Sequence, residues 1–277
     1  MYNIKYKANC ILDICSRRVL PGDETKEMLL VNKSNRSAED LVGRWEERRE
    51  IKNLMGRYAV SFLLKKERTM FADFWSRRED VSMGLNDGWY LGPDAISVWF
   101  AAIDRATALK AKLLQADLPD KLGDQDLATL YGIGDFDVKP LGTPVIELAE
   151  DLQTAKGIWY SQGTKADVTE SGPVSYWTFG VFAVDFVYED GAWKIWHLQY
   201  LEDIKCLCGQ SWAKPEQPFP ALDAFAPLKD ISLPEPTVKT VLREYYYPGR
   251  PMAKLPPLPV PYDTFDSTFS YGYEKEV

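Results

Sequence analysis

The segment Phe182-Ala-Val-Asp-Phe-Val-Tyr-Glu-Asp-Gly-Ala-Trp-Lys-Ile195 decides the fold of this chain of 277 residues. Apolar and aromatic residues fill both halves of the segment, and Glu189-Asp-Gly191 stands between them, which is typical of two antiparallel strands joined by a tight hairpin. The same reasoning predicts four strands, at residues 145–148, 156–163, 176–188 and 193–201. The second half of the chain therefore indicates a meander of antiparallel strands.

A helical pattern precedes these strands. Apolar residues recur at intervals of three and four positions on one face: Ile51, Leu54, Tyr58 and Phe62. This spacing predicts an amphipathic helix, and Ser37, with Asp40 three residues later, is suited to its N-cap. Three more elements are predicted: a short helix near residues 70–75, a strand at 81–85, and a helix from 93 to about 115. Residues 116–137 show weak periodicity and indicate an insertion with one short helix.

Helices followed by long antiparallel strands predict an α+β domain in which a curved sheet wraps over the helices. We place this domain at residues 37–203, after an N-terminal extension at 1–36 and before a C-terminal arm at 204–277. Twelve of the eighteen prolines lie between residues 209 and 277, which favours an extended chain. Because this arm also contains many aromatic residues, we expect it to lie ordered against a surface, its own or a second subunit's.

The composition excludes several classes of function. Lysine and arginine number 33 against 41 aspartates and glutamates, a net charge of −8, which argues against nucleic acid or an anionic membrane as partner. The single histidine excludes a multi-histidine metal site, and no motif for a cofactor is found. Cysteines 10, 15, 206 and 208 are interpreted as reduced thiols, and no apolar run has the length of a membrane helix. We therefore expect a cytoplasmic protein without a metal or cofactor.

Several segments besides the hairpin occur in an order that resembles the SnoaL-like domains of the NTF2-like superfamily. They are Glu50-Ile-Lys-Asn-Leu-Met-Gly-Arg-Tyr58, Tyr90-Leu-Gly-Pro-Asp-Ala-Ile96, Gly142-Thr-Pro-Val-Ile146 and Ala155-Lys-Gly-Ile-Trp159. The resemblance covers roughly residues 39–201. It implies a cone, in which a strongly bent antiparallel sheet wraps around N-terminal helices and encloses one deep apolar pocket, usually in a dimer. The Pro-rich extended C-terminal arm would be an addition to this cone.

The superfamily includes ketosteroid isomerases, scytalone dehydratase, polyketide cyclases and bile-acid 7α-dehydratases. Tyr58 matches the helix tyrosine of the bile-acid dehydratase pattern, and the resemblance places it at the pocket. Leu63 and Gly142 stand where that pattern has an acidic residue and a histidine. Of that dehydration site, only Tyr58 therefore carries over to this chain.

His197 is the first candidate catalytic residue, because its unperturbed pKa lies near neutrality. Strict alternation would place it with Trp193, Ile195 and Gln199 on one face of the last strand. Facing a pocket, the imidazole would act as general base or acid. The alternative is a hydrogen-bonded histidine on the outer face of the sheet or at a dimer contact.

Tyr58 and Asp185 are the other two catalytic candidates. The Tyr58 hydroxyl would donate a hydrogen bond to developing negative charge, or it would be a core tyrosine bonded to a backbone carbonyl. Asp185 lies in mid-strand among apolar residues, where a carboxylate is costly unless paired. It would orient His197, or it would form a structural ion pair with a lysine or arginine of a neighbouring strand.

Four tryptophans and one arginine are candidate substrate-binding residues: Trp89, Trp99, Trp159, Trp177 and Arg78. The indole rings would stack on a flat substrate, and the guanidinium would bind a carboxylate or phenolate. Core packing for the tryptophans and a solvated turn for the arginine are the alternatives.

These observations lead to one functional hypothesis and one alternative. The hypothesis is a cofactor-independent lyase, dehydratase or isomerase that acts by acid–base catalysis on a hydrophobic, aromatic or polycyclic, hydroxylated small molecule, with loss of water or formaldehyde as possible eliminations. The alternative is a non-catalytic ligand-binding or dimerisation module, since function does not follow from fold. We expect a small-molecule partner and a homodimer or higher homo-oligomer with exchange of the C-terminal arm.

Overall fold

A computed structural model describes residues 36–169, 172–213, 233–250 and 256–275. The predicted extension lies outside the described residues apart from Arg36, and the predicted arm is described only in part. The chain divides into two compact units, residues 1–43 and 44–277, and the boundary falls within the first helix. The account below concerns the second unit and the helix that leads into it.

Five α-helices are found among the described residues: α1 (Ala38–Leu63), α2 (Glu67–Phe74), α3 (Gly92–Asp117), α4 (Pro119–Leu122) and α5 (Leu127–Leu130). Phe265–Ser267 form one turn of 3-10 helix. The backbone N–H of Asp40 donates to the Ser37 hydroxyl at 3.1 Å, so the predicted N-cap is confirmed. The helices predicted near residues 70 and 93 are confirmed as α2 and α3. The predicted insertion contains α4 and α5, two short helices where one was expected.

Eight strands are described: β1 (Ser82–Leu85), β2 (Gly88–Leu91), β3 (Phe136–Val138), β4 (Gly142–Leu148), β5 (Thr154–Thr169), β6 (Gly172–Glu189), β7 (Ala192–Leu207) and β8 (Val238–Lys239). They form one bent, unclosed sheet in the order β3-β5-β6-β7-β1-β2-β8, and β4 also pairs with β5. All pairs are antiparallel except β1 with β7. The predicted α+β class and meander are confirmed, whereas β2, β3 and β8 were not predicted.

The predicted tight hairpin joins β6 and β7, and its turn consists of two residues, Asp190 and Gly191. Asp190 and Gly191 have φ angles of 52° and 77°, and Glu189 pairs directly with Ala192. Positive φ at both central residues is the geometry of a type I′ turn, whose twist matches that of the flanking strands. The hairpin therefore fixes the register of the two strands next to it.

The sheet has two faces, which we call inner and outer. The inner face packs on the helices: Phe182, Val184 and Phe186 of β6 belong to one core cluster with Ile51 and Met55 of α1. The outer face presents the alternate residues of the same strand, among them Val181 and Ala183, which pack against Tyr271. Successive residues of β6 therefore alternate between the two faces, as they do in a regular strand.

A β-bulge in β7 changes which residues share a face. Phe186 pairs with Ile195 and Asp185 pairs with His197, so Trp196 is an extra residue opposite this step. As a result Ile195 belongs to the inner core, while the Trp196 and His197 rings stack on each other at 4.6 Å. The expectation that His197 shares a face with Ile195 was wrong, because strict alternation ends at the bulge.

Residues 256–275, which we call the C-terminal segment, lie against the outer face. They cover an ion pair between Lys156 Nζ and Asp185 Oδ1 at 2.6 Å, in which neither side chain is exposed. Asp185 Oδ2 also accepts hydrogen bonds from the Ser270 hydroxyl at 3.1 Å and the Tyr271 N–H at 2.7 Å. Four aromatic rings have centroids 4.5–5.7 Å from the ammonium: Tyr262, Phe265, Phe269 and Tyr271.

Replacing Asp185 by Asn is expected to lower the free energy of unfolding by about 3–5 kcal/mol, because the Lys156 ammonium is then buried without its partner. The double variant Lys156→Met/Asp185→Leu is expected to recover most of this loss, since no charge remains buried. Urea denaturation of the three proteins measures both values. A loss below about 1 kcal/mol in the single variant would contradict a fully buried ion pair.

Candidate functional site

A groove of about 360 Å³ opens between α1 and the chain that runs through β3 into β4. Its walls include Gly56, Ala59 and Val60 of α1, Leu141 on the opposite side, and Trp159 of β5. These residues are apolar, and together they form a concave surface beside the core. The groove is therefore the candidate site for a small molecule.

The spacing of residues in α1 explains why the groove is open. Positions 56, 59, 60 and 63 lie on one side of the helix, next to the stripe that packs into the core. A Cβ added to Gly56 would meet no heavy atom within 4 Å. Val60 and Leu63 remain 50% and 40% exposed. The helix thus leaves apolar side chains in contact with solvent along the groove.

Lys139 contributes a positive charge to the groove wall. Its ammonium pairs with the Asp137 carboxylate and lies 4.9 Å from the ring centroid of Phe62 and 5.9 Å from that of Tyr200. Both aromatic residues pack in the inner core. The ammonium of Lys139 therefore lies where the groove meets the inner face of the sheet.

Lys139 belongs to a larger group that we call the charged cluster: Lys65, Lys110, Lys139, Lys165, Asp135, Asp137 and Asp167. The Lys110 ammonium bridges Asp135 and Asp167, the latter at 2.8 Å. Lys165 lies 3.1 Å from Asp167, and Lys65 lies 3.7 Å from Asp135. These ion pairs connect the loop after α1 and helix α3 to strands β3 and β5.

Two acid–base groups beside the charged cluster have shifted pKa values. Burial raises the pKa of the Glu67 carboxyl, whose Oε2 atom has no hydrogen-bond partner among the described residues. Burial lowers the pKa of the Lys205 ammonium, and the positive charges of Lys165 and Lys139 add to this effect. Shifted pKa values near a cavity are typical of functional sites, although structural ion pairs produce them as well.

Ser161 is a further polar residue on this side of the sheet. It is only 2% exposed, and its hydroxyl has no hydrogen-bond partner among the residues described. Because it follows Trp159 by two positions on β5, both side chains lie on the inner face, about 7 Å apart along the strand. The Ser161 hydroxyl is thus buried one inward position beyond Trp159, which is the residue of β5 that lines the groove.

The structure places His197 on the outer face, away from the groove. Its Nδ1 atom lies 3.0 Å from the Ser82 hydroxyl, which accepts a hydrogen bond from the Tyr273 N–H. Burial lowers the pKa of the imidazole to about 4, and the charges of Lys156 and Arg78 add to this while Asp80 opposes it. This is the hydrogen-bonded histidine of the alternative interpretation, covered by the C-terminal segment.

The other two catalytic candidates do not join His197 in one site. Tyr58 lies on the inner side, with the rings of Phe62 and Phe74 edge-on at 5.4 and 5.6 Å, and burial raises the pKa of its hydroxyl. Asp185 is opposite His197 in the strand register, but its carboxylate binds Lys156. Tyr58 and His197 are therefore separated by the sheet, and Asp185 forms the structural ion pair.

Of the five predicted substrate-binding residues, Trp159 lines the groove. The ring centroid of Trp89 lies 5.9 Å from that of Tyr273 in the C-terminal segment. The other three are placed as follows: Trp99 packs on Phe100 and Tyr90, Trp177 is 42% exposed, and Arg78 lies over the Trp196 ring and binds Asp80. The structure therefore brings one of the predicted residues to the groove.

The sequence interpretation missed Lys139 and Ser161. A signal for the first was present, because Asp135, Asp137 and Lys139 alternate with the apolar Phe136 and Val138, a period of two that indicates a strand. Ser161 carried no such signal, since a serine in a strand gives no indication of its depth. Its burial follows from the packing of the helices on β5.

The sequence profile of the SnoaL-like domain matches residues 43–199. This match covers more than half of the chain, so the protein belongs to the SnoaL-like family, as the resemblance in the sequence indicated. Together with the bent sheet and its helices, this membership defines the fold as NTF2-like. No curated protein matches the chain at a significant level.

Several solved structures are similar in fold. An NTF2-like protein with a cystatin-like fold from Novosphingobium aromaticivorans has 15% identity and a TM-score of 0.39, over 61% of this chain and 91% of its own. Hexachlorocyclohexane dehydrochlorinase LinA-type3 from Novosphingobium barchaimii has 15% identity and a TM-score of 0.40, and the match covers 61% of this chain and 95% of the dehydrochlorinase. An NTF2-like superfamily protein from Salmonella enterica has 15% identity and a TM-score of 0.38, and the match covers 57% of this chain and 91% of the Salmonella protein.

The described part of the chain contains neither a candidate metal site nor a candidate membrane helix. No group of three or more His, Cys, Asp or Glu residues there could hold a metal ion. None of the described helices combines the length and apolar character needed to cross a bilayer. Cys206 and Cys208 are free thiols, while the predictions for Cys10 and Cys15 lie outside the described residues.

We expect His197 to make stability depend on pH in a defined window. Its pKa is about 4 in the folded protein and 6.5 ordinarily, so between these values the unfolded chain binds a proton that the folded protein does not. The stabilisation is complete above pH 6.5 and is lost as the pH falls towards 4. Relative to His197→Gln, the free energy of unfolding should fall by up to about 1.4 kcal/mol per pH unit.

Urea denaturation of both proteins at several pH values from 7 to 4 measures this difference. The variant controls for the carboxyl groups that titrate in the same window, because they are common to both proteins. Parallel curves for the two proteins would show that the imidazole is not held neutral by burial.

Proposed function

We propose that the protein binds a small, mostly apolar organic molecule in the groove between α1 and the β3–β4 chain. The observation that carries the proposal is the concave apolar surface formed by Ala59, Val60, Leu141 and Trp159. Its volume of about 360 Å³ falls within the range of small-molecule sites, roughly 300–1,000 Å³. The indole ring of Trp159 offers a flat surface for an aromatic ligand.

The exposed apolar side chains of α1 support the same proposal. Val60 and Leu63 are in contact with water along the groove, and covering apolar surface contributes roughly 25 cal/mol per Å². A ligand that contacts this side of the helix would remove that surface from water. An aromatic or alicyclic molecule is therefore favoured over a highly hydrated one.

A cofactor-independent lyase or isomerase is the second candidate function. It is favoured by the charged cluster at the inner end of the groove, beside which Glu67 and Lys205 have shifted pKa values. Such groups move protons near neutrality more readily than unperturbed ones. In this proposal the acid–base groups come from the cluster and its neighbours, and not from His197 or Tyr58.

Filling the groove is expected to abolish binding without harm to the fold. In Gly56→Leu the new side chain projects into the groove, where a Cβ meets no neighbour within 4 Å. We expect the affinity for the neutral fluorescent probe N-phenyl-1-naphthylamine to fall tenfold or more. The helix itself should be about as stable or more stable, since glycine costs about 1 kcal/mol in a helix.

Gly43→Leu is the matched control, because Gly43 is in the same helix, also has open space around a Cβ and does not line the groove. Fluorescence titration gives the affinities, and thermal unfolding shows that both variants fold. Unchanged binding in Gly56→Leu, or equal losses in both variants, would contradict the proposed site.

Proton transfer by the second candidate is expected to appear as deuterium exchange. With 1-tetralone in D₂O, the protein should accelerate exchange of the α-protons by about 10²-fold or more, the usual contribution of general acid–base catalysis. Proton NMR measures the exchange, with Gly43→Leu expected to retain it and Gly56→Leu to lose it. Exchange at the rate of the buffer would reject carbon-acid chemistry and leave the binding function in place.

A further inference from the structure

The inner end of the groove adjoins the charged cluster, whereas its other walls are apolar apart from Lys52. Lys139 is the residue that joins the two parts, because it lines the groove and also belongs to the charged cluster. The rings of Phe62 and Tyr200 lie beside its ammonium, so fewer water molecules surround this charge than would surround an exposed lysine. A partly desolvated ammonium binds an anionic oxygen more strongly than a hydrated one does.

The charge balance of the cluster also favours an anion. Its ion pairs bring together four lysines, 65, 110, 139 and 165, and three aspartates, 135, 137 and 167, which leaves one positive charge. Lys205 adds a positive charge near Lys139 and Lys165, and the Glu202 carboxylate, which accepts hydrogen bonds from the Tyr200 and Tyr245 hydroxyls, offsets it. Because burial shifts Glu67 towards its neutral form, the balance around Lys139 stays positive by one charge.

Ser161 provides an independent indication of a ligand. Its buried hydroxyl lacks a partner among the described residues, and leaving such a group unsatisfied is costly. The side chain is on the same face of β5 as Trp159, one inward position further along the strand. A ligand that lies on Trp159 and extends along β5 would bring an oxygen atom to this hydroxyl.

We propose that the ligand of the groove carries an anionic oxygen group, a carboxylate or a phenolate, which binds the Lys139 ammonium and accepts a hydrogen bond from Ser161. This inference rests on the proposed binding function and adds the chemical class of the ligand. The apolar part of the ligand lies between α1 and Trp159, and its anionic end points towards the charged cluster.

The experiment compares two ligands of nearly the same size and shape, of which one carries an anionic oxygen where the other has a neutral amide nitrogen. 2-Naphthoate and the neutral 2-naphthamide have the same ring system, and each is titrated as a competitor of N-phenyl-1-naphthylamine. The unaltered protein should bind naphthoate about tenfold or more tightly than naphthamide, as expected for a charge-assisted hydrogen bond. Lys139→Met should remove this preference, which is read as the ratio of the two affinities, so that a general effect of the variant on the groove, shared by both ligands, cancels.

Three further variants separate the role of Lys139 from general effects. Lys52→Met removes the same charge from another position of the groove wall and should keep the preference. Asp137→Asn/Lys139→Met should still lack the preference, although no unpaired carboxylate remains at this position. Ser161→Ala should weaken naphthoate binding several-fold relative to naphthamide binding.

The possible failures are distinguishable. If N-phenyl-1-naphthylamine does not bind, or if Gly56→Leu does not prevent its binding, the proposed function and this inference both fail. If the probe binds in the groove but naphthoate and naphthamide compete equally, the binding function stands and the anionic ligand is rejected. An equal loss of preference in Lys52→Met and Lys139→Met would likewise reject the specific role of Lys139.

Discussion

The Lys156–Asp185 ion pair requires that the outer face of the sheet be covered in the second unit. Neither side chain is exposed, and a bare outer face would leave both charges at its surface. The C-terminal segment meets this requirement because Ser270 and the Tyr271 backbone satisfy the second carboxylate oxygen, and aromatic rings surround the ammonium. The outer face is thereby closed by the chain itself, and an open apolar surface is left on the helix side.

The bulge at Trp196 places His197 on the outer face, which the C-terminal segment covers. Without the extra residue, Ile195 and His197 would lie on the same side of β7, and the imidazole would face the helices. With it, Ile195 packs in the core while the His197 ring lies under Gly272, where an added Cβ would come within 2.7 Å of the ring. The groups available for the acid–base chemistry proposed at the groove are therefore lysines and carboxylates.

The sequence predicted elements whose signals are local. Ser37 and the spacing of three and four in α1, and the turn residues Asp190 and Gly191, specify their structures through neighbouring atoms alone. Strand β2 was missed because Gly88-Trp-Tyr-Leu91 shows no alternation of polar and apolar residues, and β8 was missed because two residues show only one period. The alternation at residues 135–139 was present, but β3 was missed because residues 116–137 were interpreted as an insertion. The face of His197 depends on pairing between β6 and β7, and the depth of Ser161 on helix packing, neither of which one segment of sequence contains.

The position of Lys139 links ligand binding to proton binding. An anion beside this lysine would add negative charge near Lys205 and Glu67, and negative charge favours the protonated form of both groups. By reciprocity, protonation of either group would strengthen anion binding by the same factor. A ligand held by its anionic oxygen would thus lie next to groups whose protonation it changes. With the proposed ligand bound, this coupling would act through Glu67 and Lys205 and would not involve the imidazole.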